Sequence, residues 1–287
     1  MQSQTENLQI FSYTDSELNL SDTEQYQLDV TISAYRLAFT ISLHSRVLAY
    51  KYVTAKENLL HAERSVLQHC TDLLGWDSQH YKQIRVFIQH ELFTLVPEAL
   101  FDASQVEGYL SLVHKLPSNH ETLAVSVTKH HALCVFALPV NLLQYIKQLF
   151  NPSLIAPQAL VLLKIAEQFN QHDLKQRLIV DIEERFITML YYQNNEIAYL
   201  NTFTTQADTD ITYFVLSVAE LLKLSPDKCG LYLLGNVSVT SSTIGLLKKY
   251  IPEVIPISRM NAITYPASFR EFQEQQHYLP IHSLLCE

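Results

Sequence analysis

The chain has 287 residues, of which 48% are apolar and 17% charged, with a formal net charge of −9. That much apolar content supports a large buried core and argues against disorder, while the acidic balance and only 20 dispersed lysines and arginines argue against nucleic acid, which needs clustered cations to displace counterions. No uncharged apolar run reaches the roughly 18 residues of a membrane span, and MQSQTENLQIFSYTDSELNL at the start lacks the basic and apolar segments of a secretory signal. Cys70, Cys134, Cys229 and Cys286 form no CxxC pair, so a cytoplasmic protein with reduced thiols is expected.

Residues 1–24 show no periodicity and are expected to form a loosely ordered arm. From residue 27 the pattern alternates: Leu28, Val30 and Ile32 share one face, Leu37, Phe39 and Ile41 continue it after a turn, and residues 46–53 make a third strand. Residues 57–74 then switch to helical spacing, with Gly75 as the stop. Short apolar strands follow at 84–89 and 91–96, then a helix over 99–113. A hairpin turns at Lys129-His130-His131, and helices follow at 141–150 and 159–169, with Asn151-Pro152 between them as the boundary.

A second set of three strands begins near residue 175. A helix from Asp208 or Thr209 to Leu224, a four-residue apolar strand at 231–234, a helix over 241–250 and a last strand at 253–257 complete the order. The two sets correspond. LDVTISAYRLAFTIS faces LIVDIEERFITMLYY, and RVLAYKYVT faces NEIAYLNTFTT, at an offset that stays near 150 positions. Three strands, a helix and a parallel strand is the ribonuclease H-like order. Two such units in tandem predict an α/β chain with mixed sheets in an actin-like ATPase architecture, with a cleft between domains. The expected division is an arm over 1–24, a first domain over 25–152 and a second over 153–287.

Two stretches, FTLVPEALFD and LNTFTTQADTDITYFVLSVAELLKLSPDKCGLYLLGN, resemble a bacterial family of unknown function, typical of the Bacteroidetes, that has the actin-like ATPase fold. Asn201-x-Phe203, the acidic start at Asp208 and Asp210, the Tyr213-Phe214 pair and the closing Leu-x-Leu-Leu-Gly carry the match. These motifs are structural, so the resemblance implies a fold and no reaction.

An actin-like ATPase grips phosphate with two glycine-rich hairpins, because backbone N–H groups must approach the phosphates in conformations that a Cβ obstructs. The five glycines here, Gly75, Gly108, Gly230, Gly235 and Gly245, all lie outside the two hairpins. The first reads ISAYRLAF, with Arg36 near the glycine position; the second reads VDIEERF. Asp181 matches the motif aspartate, but Glu183 and Glu184 fill the turn and would repel a triphosphate by about 1 kcal/mol per close pair even when well solvated. Asp29 stands about four residues early for a partner aspartate. The adenosine-side turn is kept best: LLGNVSVTSSTIGLLKKY places Gly235 and Asn236 after a buried strand, with Ser241 or Ser242 able to cap a helix.

Twelve histidines include His61 and His69 on one helix and the adjacent His130-His131, none with metal-site spacing. Asp181 with Glu183 or Glu184 supplies part of a two-metal nuclease set, but without a basic surface. Sixteen tyrosines and thirteen phenylalanines, clustered around Tyr191-Tyr192, Tyr199, Phe203, Tyr213 and Phe214, read mainly as core. The expectation is a non-catalytic scaffold, without cofactor, that binds an unidentified protein through its cleft, edges or arm. The alternative is an ATP-binding switch using Asp181 for magnesium and Gly235 with Asn236 for adenosine.

Overall fold

Alternating side chains place the strands, and the strands place the rest. The structure is a computed structural model and describes residues 9–76, 80–168, 176–183, 185–193, 196–225, 228–235, 242–257, 262–266, 268–269 and 277–286. The chain divides into two compact units: Met1–Gln158 with Ile263–Phe272 and Glu287, and Ala159–Ala262 with Gln273–Cys286.

The first unit holds strands β1 (Gln9–Thr14), β2 (Gln27–Ile32), β3 (Arg36–Leu43), β4 (Arg46–Thr54), β5 (Gln83–Ile88), β6 (Phe93–Pro97), β7 (His120–Val127), β8 (Ala132–Pro139) and β9 (Leu154–Pro157). Six of them form one sheet in the order β1-β4-β3-β2-β5-β9. The pairs from β1 to β2 are antiparallel, and β2/β5 and β5/β9 are parallel. β6, β8 and β7 make a separate antiparallel sheet. Leu28, Val30 and Ile32 are wholly buried, as their alternation requires.

Helix α1 (Arg64–Leu74) buries Leu67, Cys70 and Leu74 and ends on Gly75 at φ 69°, whose N–H bonds to Thr71 O at 3.0 Å. It starts later than the periodicity predicts. Asn58 Oδ1 accepts the Leu60 N–H at 3.0 Å, and the Leu59 N–H is drawn to Ala34 O at 2.7 Å, which fixes a turn where a helix was expected. The helix predicted over 99–113 is also broken. Asp102 Oδ1 accepts both the N–H and the hydroxyl of Ser104 at 2.8 Å, leaving short 3-10 turns and the six-residue α2 (Val106–Ser111). Helix α3 (Val140–Phe150) ends at Asn151, left-handed at φ 42°, and β9 then pairs with β5, so this unit runs on to Gln158.

The second unit contains α4 (Ala159–Gln168), β10 (Gln176–Ile182), β11 (Phe186–Gln193), β12 (Glu196–Thr204), α5 (Asp208–Leu221), β13 (Cys229–Gly235), α6 (Ser242–Leu247), β14 (Val254–Pro256) and α7 (Tyr278–His282). Its sheet runs β12-β11-β10-β13-β14, the same order and senses as β4-β3-β2-β5-β9. Registers match as well. Ile32 pairs with Leu37 and Ile88, and Ile182 pairs with Ile187 and Gly235. Each sheet has an irregularity at the corresponding step, Ile41/Ser42 and Tyr191/Tyr192.

The start of α5 is secured by neither Asp208 nor Thr209. The Asp210 carboxylate reaches back to the N–H groups of Gln206 and Ala207 at 2.8 and 3.1 Å, bonds that hold its pKa below the usual range. Two segments without a clear sequence pattern are built into the structure. Gln9–Thr14 is strand β1 on β4, and Tyr278, Leu279 and Ile281 in the tail are buried.

Candidate functional site

The strand ends that would cradle phosphate can be compared position by position. In the second unit Asp181 is the penultimate residue of β10, paired with Thr188 and Leu234, and is 1% exposed. Glu183, two residues on and so on the same strand face, is buried too. Its N–H is bonded to Phe186 O at 2.9 Å, and Arg185 O accepts the Thr205 N–H at 2.8 Å. Glu184 and Asn236 lie outside the described residues.

In the first unit the matching positions hold Thr31 and Ser33, hydroxyls in place of carboxylates. Ser33 N–H bonds to Arg36 O at 2.9 Å, and Ala34 O and Tyr35 O accept the N–H groups of Leu59 and Ala55. At the base of each turn the strand ladder is closed in the same way, Ser33 to Arg36 and Glu183 to Phe186. The described residues with positive φ are His44, Gly75, His131, Asn151, Lys223 and Gly235, none of them in either turn. Thr31 Oγ1 and both amide atoms of Gln158 are buried with no hydrogen-bond partner, and neutral groups of this kind cannot balance a triphosphate. Among the described residues, those at the two strand ends do not fit a phosphate chain in the actin-like manner.

Asp29 stands nearer the critical position than its spacing suggested: the register places Thr31 where Asp181 stands, so Asp29 is two residues early. It is also committed elsewhere. Arg85 Nε and Nη2 donate to its two carboxylate oxygens at 2.8 Å each, with the pair 0–1% exposed, and Gln27 Nε2 lies 3.2 Å from both oxygens. Gly235 has a backbone reason to be glycine. Its φ is +82°, and an added Cβ would stand 2.1 Å from Ile182 O. Gly245 lies in α6, where an added Cβ would meet nothing within 4 Å.

Among the described residues, no group of three or more His, Cys, Asp or Glu could hold a metal ion. One histidine environment was not foreseen. His90 is buried, its Nδ1 accepts the Leu92 N–H at 3.0 Å, and its ring lies 6.0 Å from that of His120. Burial first, then the neighbouring His120, His61 and His114, push its pKa down to about 3. Nothing in the sequence around Gln89-His90-Glu91 signals this, because the neighbours come from distant segments. All four cysteines are buried, and burial raises the Cys70 and Cys229 thiols to about 11 and Cys134 further, which leaves no reactive thiolate among these three. Tyr191 and Tyr192 are core residues and Phe203 stacks on Phe214 at 4.6 Å, but Tyr213 is 66% exposed.

A family model described as a protein of unknown function matches residues 15–254. No curated protein matches the chain. Among solved structures, it is similar to a Bacteroides thetaiotaomicron protein with actin-like ATPase fold and unknown function, at TM-score 0.79 and 18% identity over 95% of this chain and 100% of that one. It is also similar to a chain of the PilM–PilN type IV pilus biogenesis complex (TM-score 0.57, 13% identity, 90% and 96% covered). A third likeness is to the ethanolamine utilization protein EutJ from Carboxydothermus hydrogenoformans (TM-score 0.50, 8% identity, 95% and 92% covered). At these identities the likenesses establish the fold, an actin-like ATPase fold, and leave the activity to the residues.

Proposed function

The chain belongs to the DUF3822 family, and we propose that it is a non-catalytic scaffold that binds another protein, with its ancestral phosphate turns reduced to ordinary hairpins. The observation that supports this reading is the bonding at the base of both turns together with their lack of glycine. Their N–H groups at Ser33 and Glu183 are bonded within the hairpins, and neither turn contains a glycine. The PilM–PilN complex is a case of this fold engaging another protein.

The second reading is an ATP-binding switch. It draws on the buried Asp181 and Glu183 carboxylates on one face of the β10 end, where a magnesium ion could sit, with Gly235 and Asn236 on the adenosine side. In this reading nucleotide binding selects one conformation, which then recruits the partner.

Calorimetry and thermal shift with Mg-ATP separate the two. A dissociation constant tighter than roughly 100 μM, worth about 2 kcal/mol of added stability at roughly 5 mM ligand, would sink the scaffold reading. Absence of heat and of any shift at that concentration would remove the switch.

A further inference from the structure

The outer N–H and C=O groups of an edge strand are free to pair with another chain, and folded proteins usually blunt such edges. Most edges here are blunted. β6, β9 and β14 have five, four and three residues, and each ends in proline (Pro97, Pro157, Pro256). β7 opens with His120 and Glu121, the latter ion-paired to Lys147 at 3.2 Å. β1 is flanked by Ser268, whose hydroxyl donates to Thr14 O at 3.1 Å, and by Phe269, whose ring lies 5.6 Å from that of Tyr13.

β12 is different. It has nine residues, no proline, and no charge after Glu196. It also holds the place in its sheet that β4 holds in the other, Thr204 pairing with Phe186 as Thr54 pairs with Arg36. Where β4 receives β1 along residues 49–54, β12 ends its sheet among the described residues.

Several residues that carry the family resemblance gather on this edge. Asn201 Oδ1 accepts the Thr202 N–H at 2.9 Å, a donor whose counterpart in the first unit, on Tyr52, faces strand β1. Phe203 stacks on Phe214, and Tyr213 meets Phe214 edge-on at 5.4 Å, extending the aromatic row to the surface. A core role does not require the exposed Tyr213.

The edge is complementary to itself. The Thr205 N–H points inward to Arg185 O, so by alternation Leu200, Thr202 and Thr204 aim their backbone groups outward. An antiparallel copy of β12 centred on Asn201 sets Leu200 opposite Thr202 twice, as hydrogen-bonding pairs. It also sets Tyr199 opposite Phe203 twice, an aromatic cross-strand pairing, with no like charges face to face. We infer that β12 is a homodimer edge: two copies join their second-unit sheets across a two-fold axis at Asn201, and each Thr202 N–H exchanges the Asn201 side chain for Leu200 O of the second copy.

Sedimentation velocity on the full chain is expected to show a reversible dimer with a dissociation constant of roughly 1–100 μM. Asn201→Lys sets lysine against lysine at the axis, and it should raise that constant by about tenfold or more. The first unit already carries Lys51 at the matching position, bonded to Leu74 O at 2.6 Å, so the substitution suits a folded monomer. Should that variant fold poorly, Asn201→Cys reads the register independently. It is expected to give a disulfide-linked dimer on oxidation, since the native cysteines are buried, whereas Glu196→Cys is expected to remain uncrosslinked. A wild-type chain that stays monomeric over this range, a dimer that Asn201→Lys leaves intact, or an Asn201→Cys chain that fails to crosslink overturns the inference.

Discussion

Replacing Asp29 with asparagine takes one charge from a pair that has almost no access to water. Arg85 donates two bonds of 2.8 Å to the Asp29 carboxylate, and the side chains are 0% and 1% exposed. Asparagine keeps the shape but leaves a buried guanidinium without its counter-charge, a loss of about 3–5 kcal/mol. With a first unit of about 170 residues, each kilocalorie moves the melting temperature by about 2–4 °C, so a fall on the order of 10 °C is expected.

The second unit suggests the compensating change. Ile179 and Tyr232 occupy the register positions of Asp29 and Arg85. The double variant Asp29→Ile with Arg85→Tyr removes both charges together and should recover most of the loss, because the attraction between a buried pair barely exceeds its desolvation cost. Urea titration followed by circular dichroism measures both variants. A loss below about 1 kcal/mol for Asp29→Asn, or a double variant no more stable than the single, would refute the reasoning.

Acid should destabilise the fold through two buried histidines. Burial lowers both His90 and His282 to about 3, from an unfolded value near 6.5, so each is neutral in the native state. Their contribution is therefore present above pH 6.5 and is lost as pH falls toward 3, about 2 kcal/mol apiece by pH 5. His90→Asn keeps an acceptor for the Leu92 N–H and cannot titrate, so its urea midpoint should fall less steeply between pH 7 and 5; an unchanged slope would count against the assignment. Gly235→Ala should cost about 3 kcal/mol or more in the absence of any ligand, from the clash with Ile182 O and the positive φ together. Gly245→Ala, in open space within α6, should stabilise by about 0.5–1 kcal/mol, and equal effects at the two sites would remove the backbone explanation for Gly235.

The paired sheets were legible because their signal is local. LDVTI and LIVDI alternate in step, and a period of two survives without knowledge of the partners. The same alignment sets Thr31 against Asp181. Short or proline-bearing elements were not legible. β9 has four residues ending in Pro157, and α7 has five with Pro280 in the middle, so both depend on tertiary contacts. Helix starts shifted where one side chain competed for backbone donors, as Asn58 and Asp102 do. At the candidate site the sequence pointed to Asp181, Gly235 and Asn236. It could not supply the clash that makes Gly235 obligatory or the bond that engages Asp29, since both arise between strands far apart in the chain.

The late return of the chain to its first unit bears on its synthesis. Thr264 O accepts the Val47 N–H at 3.0 Å, and its own N–H reaches Ser45 O at 2.9 Å. A ribosome that has just released Gln158 must add about a hundred more residues before Thr264 exists, which at roughly 5–20 residues per second takes on the order of ten seconds. Through that interval the β3–β4 turn waits with its backbone unsealed, so the unit made first is completed only after most of the second has been synthesised.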